Sequence, residues 1–88
     1  MKIKECFILR RIPGMNVVMP TGENIRHFRN TVTLNNTAAL IFEKLQQGES
    51  VQAIAEDHSA RYGISTNEAA EDVNSIFEDF LEMGLAEK

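Results

Sequence analysis

The sequence predicts an α+β domain in which a three-stranded antiparallel sheet is followed by a three-helix bundle. Three observations carry this reading. Short alternating, β-branched segments occupy residues 1–34. From Asn35 onward, apolar residues recur at i, i+3, i+4 and i+7 behind cap residues. The stretch Thr31–Leu45 passes from one pattern to the other with no room for a linker, so sheet and helices are expected to share one core.

The first strand is expected over about residues 6–12, centred on Phe7-Ile8-Leu9-Arg10-Arg11-Ile12. Pro13-Gly14 signals a turn, and the second strand follows over about 15–20, ended by Pro20-Thr21-Gly22. These two segments pair as a hairpin. Residues 23–30 are polar, with Arg26, His27 and Arg29 around an apolar anchor at Phe28, and read as a long loop or a frayed strand extension. The third strand is expected over about 30–34, with Val32 and Leu34 on one face and Thr31 and Thr33 on the other.

Asn35 can cap the first helix, expected over about 36–47, through a side-chain oxygen that accepts from a first-turn N–H. Its apolar face is Ala38, Ile41, Phe42 and Leu45, and Gly48 ends it. Ser50 caps the second helix (51–62), whose apolar face is Val51, Ile54, Ala55, His58 and Tyr62, with Gly63 at its end. Ser65-Thr66-Asn67-Glu68 is a capping box that starts the third helix (66–83), and Gly84 ends it. The third helix is apolar over a wide arc (Ala69, Ala70, Val73, Ile76, Phe77, Phe80, Leu81, Met83), broader than one packing face requires. An edge of that arc can therefore line a groove, or the domain can simply surround its last helix.

Eighty-eight residues make one small domain, 1–88, and a hydrophobic fraction of 43% is enough for a core. No apolar run is long enough to span a bilayer. No signal peptide is read at the N-terminus, and the single Cys cannot form an internal disulfide, so the expected location is cytoplasmic. The net charge of −4 conceals a division. Residues 1–34 hold six basic residues against Glu5 and Glu23, a net +4, whereas residues 35–88 hold Lys44, Arg61 and Lys88 against eleven acidic residues, a net −8. An acidic peptide would be drawn to the strand half.

No catalytic constellation stands out, so a non-enzyme without metal or cofactor is expected. His27 and His58 are far apart, and neither has metal-ligand spacing with Cys6. His58 reads as a partly buried structural histidine and Cys6 as a small core residue. The five glycines are scattered at turns and helix ends, with no phosphate-binding loop.

Three strands followed by three helices is a winged-helix-like topology, and the residues are similar to one family in particular. Phe7-Ile8-Leu9-Arg10, Val17-Val18-Met19-Pro20-Thr21-Gly22 and Val32–Ala39 resemble the strand region of the PqqD family, with Leu-Asn-x-Thr-Ala-Ala at Leu34–Ala39 the strongest element. Arg61-Tyr62-Gly63-Ile64-Ser65, Asp72-Val73 and Gly84-Leu85 fit its helical half, so the resemblance covers nearly the whole chain. It implies a precursor-peptide recognition element, which binds the leader of a ribosomally made peptide and presents it to a modifying enzyme, often a radical-SAM enzyme. It also implies that the leader adds as a strand to the edge of the third strand, here Thr31, Val32, Thr33 and Leu34, beside the third helix. Such β-augmentation uses unpaired backbone groups of an open edge. The helix wall would draw on Asp72, Ile76, Asp79, Phe80 and Met83; the opposite flank, Ala70, Asn74, Phe77 and Leu81, is the other candidate. In compact family members the Pro-x-Gly turn leads almost directly into the third strand, whereas here Glu23–Asn30 intervenes. Arg26 and Arg29 in that insertion can contact an acidic leader, or the insertion is a tolerated surface loop.

Two other functions fit the same fold. A winged helix suggests DNA binding, but the would-be recognition helix begins Thr66-Asn67-Glu68-Ala69-Ala70-Glu71-Asp72, with three acids and no Lys or Arg to meet phosphate, so no nucleic-acid partner is expected. A docking subunit that binds only the enzyme would use the same groove. The open edge also permits a homodimer through strand pairing.

Overall fold

The computed structural model describes residues 2–4, 6–21 and 31–87. Its elements run β1 (Lys2–Ile3), β2 (Phe7–Ile12), β3 (Met15–Pro20), β4 (Val32–Leu34), α1 (Asn36–Gln46), α2 (Val51–Tyr62), α3 (Thr66–Glu82) and β5 (Ala86–Glu87). The three-stranded antiparallel sheet has the order β2-β3-β4, and three helices follow it. The α+β architecture is thus the one the residue pattern predicts. The third strand is shorter than the sequence suggests: the ladder begins at Val32, with Thr31 before it.

Alternation explains which sheet face is buried. Phe7, Leu9, Val18, Val32 and Leu34 share the face that packs on the helices, as their register requires: Phe7↔Pro20, Leu9↔Val18, Val18↔Val32 and Asn16↔Leu34. Ile41, Phe42 and Leu45 of α1, Ile54 and Ala55 of α2, and Ala69, Val73, Phe77 and Phe80 of α3 complete the core. Phe42 and Phe80 meet edge to face, with centroids 5.7 Å apart and planes at 84°. At the tip of the β2–β3 hairpin, Ile12 and Met15 are exposed.

The helix caps follow the local sequence. Asn35, Ser50 and Ser65 accept from the N–H groups of Ala38, Ala53 and Glu68 at 2.8, 3.1 and 3.1 Å. Among the described residues the Glu68 carboxylate makes no return bond to Ser65, so only half of the expected capping box forms. The end of α3 is a Schellman motif: Gly84 N–H donates to Leu81 O at 3.1 Å and Leu85 N–H to Phe80 O at 2.9 Å. It requires Gly84 at φ 77°, a conformation that costs a side-chain-bearing residue free energy. The turn drives Leu85 into the core and aims the chain back at its own start.

That return creates a feature without a strong sequence signal. β1 and β5 pair antiparallel, Lys2↔Glu87 and Ile3↔Ala86, and Lys4 N–H donates to Leu85 O at 3.0 Å. Each strand is two residues long, too short for a period to register. Among the described residues no helix is long and apolar enough to cross a membrane.

Candidate peptide-binding edge and groove

The sheet has two edges, and their chemistry differs. Which backbone groups face outward follows from one bond. Thr21 N–H donates to Cys6 O at 2.8 Å. In the β2–β3 register Cys6 lies opposite Thr21, one step beyond Phe7↔Pro20, so Cys6/Thr21 is a hydrogen-bonded pair and the pairs alternate from there. Phe7↔Pro20 is then a non-bonded pair, which suits Pro20, since it has no N–H to donate. Phe7 therefore turns its carbonyl away from β3, and there Gln46 Nε2 of α1 donates to it at 2.7 Å. Farther along the same edge Arg11 Nε donates to Glu43 Oε1 at 2.8 Å. The β2 edge is engaged by α1 at Phe7 and carries charge at Arg11.

The same alternation crosses β3. Asn16 and Val18 turn their backbone groups toward β4, so Leu34 and Val32 face inward and Thr33 faces out. Among the described residues β4 has no neighbour beyond β3. Its outer edge presents the N–H and C=O of exposed Thr33, with neither charge nor proline in Val32–Leu34. Natural edges are usually protected by such residues. Of the four expected strand residues, Thr33 alone lies in the ladder with both groups outward. Val32 is half-buried against the core, Leu34 is buried, and exposed Thr31 precedes the ladder.

A buried polar side chain holds this edge in place. Asn16 Nδ2 donates to Leu34 O at 3.1 Å and to Asn36 Oδ1 at 2.9 Å, and Arg11 Nη1 donates to Asn16 Oδ1 at 3.3 Å. A continuous chain of contacts thus runs from Glu43 on α1 across β2 and β3 to the junction of β4 with α1. The charge-assisted bond with Arg11 holds the Glu43 carboxyl below its usual range, and Glu43 raises the Arg11 guanidinium in turn.

A hollow of about 390 Å³ opens near the start of α1, lined by Thr37, by His58 and Tyr62 of α2, by Ile64, and by Asp72, Ser75 and Ile76 of α3. Thr37 follows Leu34 by three residues, so this hollow adjoins the β4–α1 junction. Tyr62 Oη and Thr37 Oγ1 lie 3.0 Å apart, the His58 and Tyr62 rings pack at 4.7 Å, and His58 Nε2 lies 3.4 Å from Asp72 Oδ2. Tyr62, expected on an apolar face, is 51% exposed because its ring forms this wall instead. Its role could not be told from a core tyrosine by helical spacing.

The expected helix wall divides. Asp72 and Ile76 line the hollow. Asp79 is exposed and Met83 half-buried against the core, on the same flank but outside the hollow's lining. Phe80 does not belong to a wall: it is 1% exposed and its ring is spent on Phe42. Of the opposite flank, Phe77 is buried in the core, and Ala70 lines a separate hollow of about 400 Å³ with Val51 and Ala55 near the start of α2. Arg26 and Arg29 lie outside the described residues, so the basic contacts expected of them have no geometry here. Among the described residues no cluster of three His, Cys, Asp or Glu side chains could hold a metal.

Comparison with known proteins adds the following. The family model described as "Coenzyme PQQ synthesis protein D (PqqD)" matches residues 16–86. No curated protein sequence matches. Two solved structures share the fold. One, TbiB1 in complex with the TbiA(beta) leader peptide, is 17% identical, with a TM-score of 0.79 over 99% of this chain and 95% of that one. The other, a lasso peptide synthetase B1 complexed with the leader peptide, is 21% identical, with a TM-score of 0.79 over 99% of this chain and 96% of that one.

Proposed function

The chain belongs to the PqqD family, and we propose that it is a non-catalytic recognition protein that binds the leader region of a ribosomally made precursor peptide by strand addition to β4 and presents it to a modifying enzyme. The observation that carries the proposal is the contrast between the two sheet edges. β2 has its Phe7 carbonyl taken by Gln46 and is charged at Arg11, whereas β4 turns the Thr33 backbone outward with no charge or proline on Val32–Leu34. An incoming strand at β4 meets an outward N–H and C=O with no charged side chain or proline beside them on Val32–Leu34, and it gains main-chain hydrogen bonds there at no cost to the existing ladder. Two solved structures of the same fold, each in complex with a leader peptide, support the reading.

Binding sites in this proposal are Thr31–Leu34 through the backbone, and Asp72, Ile76, Asp79 and Met83 along one flank of α3, with Arg26 and Arg29 as outlying basic contacts. The enzyme partner in this reading is a radical-SAM enzyme, and both act in the cytoplasm where the precursor is made. In the absence of leader the same edge can pair with a second copy of the chain.

The test is an NMR titration of isotope-labelled protein with a leader peptide encoded beside it, with duplex DNA as control. Saturable shifts at Thr33 and its neighbours, together with Asp72 and Ile76, are expected. Shifts caused by DNA in the strand half, with none from peptide, would overturn the proposal. Silence to both would favour a subunit that docks only on the enzyme.

A further inference from the structure

The hollow beside the β4–α1 junction has a chemistry of its own. Its apolar surface comes from Ile64, Ile76 and the exposed ring of Tyr62. Its polar groups are the hydroxyls of Thr37, Tyr62 and Ser75, the His58 imidazole and the Asp72 carboxylate. Hydroxyls can accept as well as donate, and an ionised carboxylate only accepts. The polar lining therefore favours a donor and carries a negative charge.

No Lys or Arg among the described residues pairs with that charge. The one partner of Asp72 among the described residues is His58, at 3.4 Å, and the Asp72 side chain stays 56% exposed. The described cations of the helical half are committed elsewhere: Lys44 lies 3.5 Å from Asp57 and 3.7 Å from Glu49, and Arg61 lies 3.4 Å from Asp57. The surroundings reinforce the sign, since residues 66–82 carry six acidic residues and no Lys or Arg. The described groove wall is thus acidic, opposite to the attraction of an acidic peptide that the overall charge division suggests.

We infer that this hollow is a specificity pocket for a cationic side chain, lysine or arginine, of the bound peptide. The inference rests on the leader-recognition reading and assigns a substrate preference within it. A lysine or arginine stem covers Ile64 and Ile76, and its charged head reaches Asp72 while facing the Tyr62 ring. Long cationic side chains bury an aliphatic stem and keep the head at a polar rim. The face of an aromatic ring attracts a cation, and a partly shielded carboxylate adds a charge-assisted bond. A carboxylate-tipped side chain would meet Asp72 and be repelled.

The experiment uses the full chain, labelled at amides and isoleucine methyls, titrated with three blocked amino acids: Nα-acetyl-lysine methylamide, its norleucine analogue and its glutamate analogue. Saturable shifts at Thr37, Ile64 and Ile76 are expected with lysine, at an affinity about fivefold above norleucine, with glutamate weakest. Asp72→Asn should erase the preference over norleucine, and Asp72→Glu should restore part of it. Norleucine binding as well as lysine, or lysine leaving the three residues unshifted, would overturn the inference. Leader titration separates the two readings. A leader that shifts Thr33 while lysine leaves the hollow silent overturns only the pocket. Lysine selectivity in the hollow with a leader that leaves Thr33 unmoved overturns strand addition while the pocket's preference for a cation stands.

Discussion

Proline substitution at neighbouring positions of β4 separates binding from stability. The backbone alternation puts Thr33 N–H on the open edge and Val32 N–H in the ladder opposite Val18. Thr33→Pro removes the outward donor and no ladder bond, and its exposed side chain contributes no core packing. Edge prolines of this kind are tolerated, so the unfolding free energy should fall by less than about 1 kcal/mol. Peptide binding loses one main-chain bond and leaves a peptide carbonyl unpaired, about 1.5 kcal/mol, which is roughly a tenfold weaker Kd. Val32→Pro breaks a bond inside the sheet, orphans the Val18 carbonyl and disturbs a side chain packed on the core, about 2–4 kcal/mol of stability. The assay is urea unfolding of both variants beside calorimetric titration with the leader. A Thr33→Pro protein that binds leader like the wild type would refute strand addition at this edge. A Val32→Pro protein as stable as Thr33→Pro would refute the assignment of which residue faces out.

Three further outcomes follow from the packing. Phe42→Ala should cost about 3–5 kcal/mol in urea unfolding, because the ring is fully buried and meets Phe80 edge-on; a melting curve that barely moves would remove Phe42 from the core. Asn16→Leu should cost about 1–3 kcal/mol despite similar volume, since it unpairs Asn36 Oδ1, removes the Arg11 Nη1 contact and strips the second bond from Leu34 O, and a loss below about 0.5 kcal/mol would mean water replaces the amide. The Arg11–Glu43 pair should stabilise the fold by less than about 1 kcal/mol at neutral pH. Because the folded Glu43 carboxyl titrates below its unfolded value, that contribution is present above the ordinary glutamate range and is lost as pH falls through the lowered value. The difference between wild type and Glu43→Gln should therefore close on acidification, and a gap that widens instead would contradict the pair.

The sequence alone determined the elements whose signals are local. Asn35, Ser50 and Ser65 mark helix starts because a side-chain oxygen can reach an N–H three residues on, and Gly48, Gly63 and Gly84 mark helix ends because all three take positive φ. Pro13-Gly14 between two alternating segments determined the hairpin, and the motif at Leu34–Ala39 placed the strand-to-helix junction. What the tertiary structure decided were matters of juxtaposition. β1 and β5 exist only because the turn at Gly84 returns the chain to Ile3. Which of Val32 and Thr33 faces the open edge depends on a hydrogen-bonding phase set at Cys6 and Thr21, far away in the chain. Helical spacing put Phe80 and Ile76 on one arc, but the position of Phe42 assigned the first to the core, while the packing of α2 against α3 left the second beside a hollow. Tyr62 and His58 were indistinguishable from core residues by periodicity, and they became a groove wall only where Thr37 and Asp72 came to meet them. Periodicity reports that a residue lies on a face; what covers that face is a property of long-range contacts, which no local pattern encodes.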